Sequence, residues 1–393
     1  MIFSSRLDPD LSPGRLQRTL DRLRAQGAPL IDLTCSNPPQ CGLGPETKAL
    51  AAALAASGTA EYHPDPRGIP GAREAVAHYY TDRGLPTLPE DIFLSASTSQ
   101  SYAELIKLFC NPGDEILIPQ PSYPLFDMLV NLEGCRPVRF TSSFTSDAHW
   151  RVDLPAVERA FTTRTRAVIL VSPNNPTGAY LAPEQHAAIQ QLCTSRGCPI
   201  LLDEVFHDYP AEGLQIPAID EASGLTVRLS GLSKVIGAPQ LKLGWIRLSG
   251  EGALVRAAAD RLEFIADAYL SASTPAQLAT ETLLRQRGPI QTRILGRLEV
   301  NQRAAEQALD SCSGARLLPR EGGWYSVLRL PEEEDEEELA LQLLVDDQVV
   351  VHPGFFYDFP RGEHLVISLI PRADEFAEGL GRVARRIGAR ASG

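Results

Sequence analysis

Between about residue 46 and residue 285, short apolar runs bounded by glycine, proline or polar turns alternate with segments of helical period. This alternation is the feature that most narrows what the chain can become, because it is the pattern of an α/β domain whose mainly parallel sheet is sandwiched by helices. The strand candidates are residues 92–94, 115–118, 167–171, 200–202, 226–229 and 245–248, several of them too apolar to be half exposed. After about residue 290 the pattern changes to a long helix over 295–309, a hairpin-like stretch around Gly322-Gly323-Trp324 and a last helix from Asp374. A chain of 393 residues exceeds what one core usually organises. The expected division is residues 46–288 as a large domain, with residues 1–45 and 289–393 together forming a smaller α/β domain from both chain ends.

Charge narrows the partners. Forty-nine acidic side chains against 37 basic ones give a net charge of −12, which repels phosphate backbones and anionic lipid. No nucleic acid is expected as a partner, and no membrane, since no apolar run approaches the ~18 residues a spanning helix needs. The acidic run from Glu332 to Glu338 follows Pro331 and precedes an apolar-periodic stretch, which suits a helix N-terminus. Seven cysteines form an odd set without a Cys-x-x-Cys pair, as in a reducing compartment. The start of the chain lacks the basic and apolar regions of a signal peptide, so a cytoplasmic location is expected.

Polar residues with chemical potential follow the apolar runs: Ser97-Thr98-Ser99-Gln100, Tyr123, Asn174-Asn175, Asp203 and Ser233-Lys234. In open α/β sheets the ligand crevice lies at the carboxyl ends of the strands, so five distant segments are expected to meet in one pocket. Lys234 sits among small and apolar residues that lower an ammonium pKa, and a neutral lysine amine is a nucleophile toward an aldehyde. Taken alone, a lysine near a strand end is ordinarily a surface residue. Asp203 ends a hydrophobic strand and is costly there without a partner; a helix cap or a metal ligand is the bland alternative, but no His/Asp/Glu cluster argues for a metal. The Ser97–Ser99 run is both an anion-binding helix start and an ordinary cap.

Gly231-Leu232-Ser233-Lys234, with Gly244 ten residues after the lysine, resembles the active-site signature of class I/II aminotransferases, enzymes of pyridoxal-phosphate (PLP) fold-type I. The resemblance extends over nearly the whole chain, through Tyr62 with Pro64-Asp65-Pro66-Arg67-Gly68, Asn111-Pro112-Gly113-Asp114-Glu115, Pro121-Ser122-Tyr123-Pro124, Ser172-Pro173-Asn174-Asn175-Pro176-Thr177-Gly178 and Asp203-Glu204-Val205-Phe206. It implies pyridoxal 5'-phosphate as cofactor, held as a Schiff base on Lys234, with Asp203 paired to the protonated ring nitrogen. Lys234 and Asp203 are then the catalytic residues. By family position Asn175 meets the phenolic oxygen, Ser97, Thr98, Ser99 and Ser233 hold the phosphate, and Tyr123 stacks on the ring. Tyr62 matches a tyrosine reaching the neighbouring subunit's phosphate, which implies a homodimer with shared sites. The implied activity is ping-pong transfer of an amino group between an amino acid or related amine and a 2-oxo acid. The alternatives are a decarboxylase, β-lyase or cyclising synthase on the same fold, or a silent PLP-binding protein.

The chain departs from the family pattern in four places. Lys242 stands where an arginine usually meets the phosphate, replacing a bidentate fork by a point charge. Phe206 stands where a tyrosine donates to the phenolic oxygen, with Tyr209 nearby as a substitute from a different position. Val366 stands where many class I enzymes carry the arginine for the substrate carboxylate. The first substrate loop reads Ser36-Asn37-Pro38 where a glycine often opens it. Ser36 is therefore expected at the substrate, with Arg67 or Arg372 as the cation for the carboxylate.

Overall fold

The computed structural model describes residues 4, 6, 12–55, 64–145, 149–310, 312, 314–331, 334–359 and 363–391. Each of the six apolar runs is a strand, and two more polar strands join them. The main sheet holds Ile92–Ser95 (β1), Glu115–Gln120 (β2), Arg136–Phe144 (β3), Trp150–Val152 (β4), Thr165–Val171 (β5), Ile200–Asp203 (β6), Leu225–Gly231 (β7) and Gly244–Gly250 (β8), in the order β1-β8-β7-β6-β5-β2-β3-β4. The five strands from β7 to β3 run parallel. β8 is antiparallel to both its neighbours, and β4 to β3.

The runs are apolar because helices cover both faces. In β5, Ala167 and Ile169 join a core with Leu105 and Leu262, from helices Thr98–Phe109 and Gly252–Tyr269. The intervening Val168 and Leu170 join Val157 and Ile189, from Leu154–Ala160 and Pro183–Arg196. The period-two pleat thus divides one strand between two cores, and each buried Val, Leu or Ile stabilises the fold by roughly 1.5–3 kcal/mol. β3 escapes a pattern search because it lies near the sheet's edge: in Arg136–Phe144 only Phe140 is fully buried.

Residues after the main sheet form a second sheet of Arg316–Leu317 (β9), Tyr325–Arg329 (β10), His352–Pro353 (β11) and His364–Ser368 (β12), ordered β9-β10-β12-β11 and antiparallel throughout. The Gly322–Trp324 turn joins β9 to β10, as its composition indicates. The N-terminal segment packs against this part of the molecule. Ile31–Asp32 pairs in parallel with Val349–Val350, and Leu33 shares a core with Val349, Leu365, Phe376 and Leu380. The acidic run starts a helix, Glu336–Val345, whose N-cap Asp335 accepts from the Glu338 N–H and whose first turn carries three glutamates. Among the described residues no helix is long and apolar enough to cross a membrane, and no group of three or more His, Cys, Asp or Glu could hold a metal ion.

Candidate active site

The carboxyl ends of β1, β2, β5, β6 and β7 open into one cavity of ≈ 170 Å³. Ser97 and Thr98 follow β1, Tyr123 and Phe126 follow β2, Asn175 follows β5, Asp203 ends β6, and Ser233 and Lys234 follow β7. Others come from elsewhere: Ser36 from the N-terminal segment, Leu243 and Gly244 from the amino end of β8, and Tyr325 from β10. The parallel sheet delivers the first group because every parallel strand ends on the same edge.

Lys234 and Asp203 face this space with opposite problems of solvation. The Lys234 ammonium lies 4.6 Å from the Trp324 ring centroid and 5.3 Å from that of Phe206. The rings attract the cation, but burial is the larger effect and pushes its pKa down to about 8, against the opposing pull of Asp203. Asp203 is 7% exposed. Burial pushes its pKa up to about 6, although the Val205 N–H (3.1 Å) and the Tyr102 hydroxyl (3.0 Å) both donate to it. No arginine pairs with it among the described residues. A buried carboxylate with two neutral donors and vacant capacity toward the cavity suits a protonated heterocyclic nitrogen.

Across the cavity, helix Thr98–Phe109 begins with Ser97 as N-cap, its hydroxyl accepting from the Gln100 N–H at 3.2 Å. Ser97 is thus a cap as well as a lining residue. The helix start presents backbone N–H groups beside Thr98, an arrangement suited to an anion. Gly244 is needed for this packing: a Cβ there would lie 3.0 Å from both Ser97 C and Thr98 N. Asn175 is 7% exposed and lines the cavity, and its Oδ1 is buried with no hydrogen-bond partner; that orphan is an acceptor, so the group that can serve a ligand oxygen is the amide's Nδ2. Asn174 instead closes the turn, its Oδ1 accepting from the Thr177 N–H and hydroxyl. The helix start, the unpartnered amide, the unmatched carboxylate and the desolvated lysine together fit a phosphorylated pyridine aldehyde.

Several expected residues lie elsewhere. Ser99 is in the helix's first turn but exposed and outside the lining. Lys242 is exposed, in a left-handed conformation (φ 51°), and does not line the cavity either. Tyr62 lies outside the described residues. The structure does not bring Arg67 or Arg372 to the cavity. Arg67 pairs with Glu263 (2.7 Å) and packs over Phe93, while Arg372 is solvent-exposed beside Asp374 (3.5 Å) at the start of the last helix. Val366 is fully buried in β12 against Val327, Leu318 and Tyr357. Phe206 lines the cavity as an apolar wall. Tyr209 does not replace the hydroxyl missing there: it is buried, and donates to the Lys234 carbonyl at 2.5 Å.

Sequence reasoning passed over Tyr102, Trp324 and Tyr325. Tyr102 follows Thr98 by four residues, so a helix places both on one face, and that spacing was the available signal. Trp324 and Tyr325 arrive from the second sheet, which no local pattern connects to Lys234.

The profile of the family described as Aminotransferase class I and II matches residues 28–375. A glutamate-pyruvate aminotransferase from Escherichia coli is 27% identical over 381 residues, covering 95% of this chain and 94% of that protein. Among solved structures, an aminotransferase from Escherichia coli superposes with a TM-score of 0.88 at 26% identity, covering 98% of both chains. A Thermus thermophilus aspartate aminotransferase mutant superposes at 0.84 with 25% identity, covering 98% of this chain and 99% of its own.

Proposed function

This chain belongs to the class I and II aminotransferase family, a family of PLP-dependent transferases, and on that premise we propose that the cavity around Lys234 moves an amino group between an α-amino acid and a 2-oxo acid in a ping-pong cycle. The observation that carries the assignment is the juxtaposition of a desolvated lysine and an unmatched buried carboxylate opposite a helix N-terminus.

Pyridoxal phosphate, when bound, supplies an electron sink for charge developing at the carbon that exchanges its amino group. Asp203 would keep the proton on the ring nitrogen, and Tyr102 keeps that carboxylate aimed through its 3.0 Å hydrogen bond. The start of helix Thr98–Phe109, with Ser97, Thr98 and Ser233 lining the cavity, would hold the phosphate. Asn175 would donate its side-chain amide N–H to the phenolic oxygen, and Tyr123 would lie over the ring. Lys234 would hold the cofactor aldehyde through its Nζ, and the same amine, when free, would carry the proton at the substrate α-carbon. Its lowered pKa makes that proton transfer accessible near neutral pH, and the Tyr209 hydroxyl steadies its backbone. Trp324 and Phe206 keep water from the amine. Ser36 and Tyr325 border the space left for the substrate.

The same reading makes the enzyme a cytoplasmic homodimer with shared sites, Tyr62 reaching the neighbouring phosphate, and retains the division at residues 46–288. Exposed Phe264, Tyr269 and Leu270 support a covered surface, and seven free thiols support a reducing compartment. The test is incubation with glutamate, alanine or aspartate and a 2-oxo acid acceptor. Equal amounts of new oxo acid and new amino acid are expected. Release of carbon dioxide or ammonia without an aminated acceptor would instead indicate decarboxylation or elimination.

A further inference from the structure

The segment that brings Ser36 to the cavity also carries two thiols that the reaction does not use. Cys35 Sγ and Cys41 Sγ lie 3.3 Å apart. Cys35 precedes Ser36, and Cys41 is the last residue of a turn of 3-10 helix, Pro38–Cys41. Both ends of the segment are tied down. Asp32 Oδ1 accepts from the Thr34 N–H (2.9 Å) and hydroxyl (2.5 Å), and Arg297 bridges the Cys41, Ile370 and Pro371 carbonyls. We infer that Cys35 and Cys41 are a modification site, a thiol pair that a hydroperoxide closes into a disulfide across the Ser36 segment.

Proximity carries the argument. A disulfide needs its sulfurs about 2.0 Å apart; at 3.3 Å these are already in contact, and Cys35 is only half-buried. The pair is also chemically biased. The hydrogen bond shared by the two sulfurs is the largest influence pushing the Cys35 pKa down to about 6; burial opposes it, the Asn37 N–H assists, and Asp32 and Glu375 oppose. Cys41 moves the other way, held protonated chiefly by that same hydrogen bond although Arg297 faces it. A thiol of lowered pKa in contact with one of raised pKa is the pairing of an attacking and a resolving cysteine. Cys110 and Cys135 also touch each other, but burial pushes both upward, so that pair lacks a thiolate.

The chemistry balances with hydrogen peroxide as oxidant. The Cys35 thiolate attacks one peroxide oxygen, the O–O bond breaks, and the departing hydroxide leaves as water with the proton Cys35 had shed, leaving a sulfenic acid. Cys41 sulfur then attacks Cys35 sulfur; the S–O bond breaks, the S–S bond forms, and the Cys41 proton leaves with the hydroxyl as a second water. Two thiols lose two electrons, and the peroxide is reduced to two waters. The closed ring fixes Ser36 and lowers the segment's ability to adjust to substrate.

The test uses the holoenzyme, hydrogen peroxide and alkylation, because cleavage after Arg24 and Lys48 leaves both thiols on one peptide. Before oxidation that peptide takes up two alkyl groups. After oxidation it takes up none, is lighter by two hydrogens, and recovers both sites with dithiothreitol. In Cys41→Ser, Cys35 stops at a sulfenic acid that dimedone traps. Two alkyl groups after peroxide, a link from Cys35 to any other cysteine, or direct passage of wild-type Cys35 to sulfinic acid would overturn the site. The thiol chemistry is read without turnover, so it stands or falls apart from the proposed activity. Its effect on substrate rests on that activity: oxidation raises KM for the amino donor in wild type and leaves Cys35→Ser unchanged. An unchanged KM after complete cross-linking would break the link to Ser36.

Discussion

Asp203 and Glu204 are neighbours in sequence at the end of β6, and both are buried, at 7% and 1% exposed, yet they titrate in opposite directions. Glu204 turns away from the cavity into a lattice of charge. Arg83 forks onto it at 3.1 and 3.0 Å, Arg228 pairs with it, and Glu221 links Arg228 to Arg247. Burial would raise its pKa, but the two guanidinium groups pull it well below the usual carboxylate range. Asp203 has only neutral donors and a neighbouring lysine that is itself desolvated, so burial wins and it rises to about 6. Burial therefore does not distinguish a functional carboxylate from a structural one; the completeness of its partners does.

The comparison is broken most severely at Lys234. Lys234→Ala removes both the anchoring amine and the proton carrier, and kcat is expected to fall by at least about 10³-fold while the circular-dichroism spectrum is unchanged; a tenfold loss would mean that another base acts. Asp203→Asn comes next, with turnover falling about 10²-fold. The cofactor-free protein, however, should become more stable. A carboxyl whose folded pKa is raised from 3.8 to about 6 costs stability as pH rises through that interval, on the order of 1–3 kcal/mol above it. Asparagine removes the cost, so the melting temperature should rise at pH 8 and not below pH 3.8, as scanning calorimetry can show.

Glu204→Gln should do the reverse. It leaves Arg83 and Arg228 buried without their shared carboxylate, a loss of about 3–5 kcal/mol, seen as a lower denaturation midpoint in urea, while the kcat of the protein that remains folded stays within about twofold. A fall in kcat comparable to that of Asp203→Asn would erase the distinction between the two carboxylates. Tyr102→Phe is the mildest probe. Losing a donor to the Asp203 carboxylate raises its pKa further, so the acid limb of cofactor uptake should move upward, with a loss of roughly tenfold in affinity; an unmoved limb would remove Tyr102 from the site.

Much of this was legible in the chain itself. The central strands could be read because both their faces are covered, and the residues just past them, Asn175, Asp203 and Lys234, could be placed together because parallel strands end on one edge. Where a pattern depends on distant packing the reading failed. β3 is polar because it lies near the sheet's edge, and Arg67 reads as a free cation until Glu263, 196 residues away, is seen to hold it. Tyr209 looked like a donor to the cofactor and instead holds the Lys234 backbone, since one turn of chain changes which way a hydroxyl faces. The contrast between Asp203 and Glu204 was invisible for the same reason: Arg83 and Arg228 lie 121 and 24 residues from Glu204.

The most direct test of the central assignment uses the chain's scarcity of lysine, since Lys48, Lys107, Lys234 and Lys242 are the only four. Borohydride reduction of the holoenzyme followed by tryptic mapping should find the cofactor fixed to Lys234, with cleavage blocked there and the peptide running on to Lys242. A label on Lys242, on either of the other two lysines, or on none would contradict it.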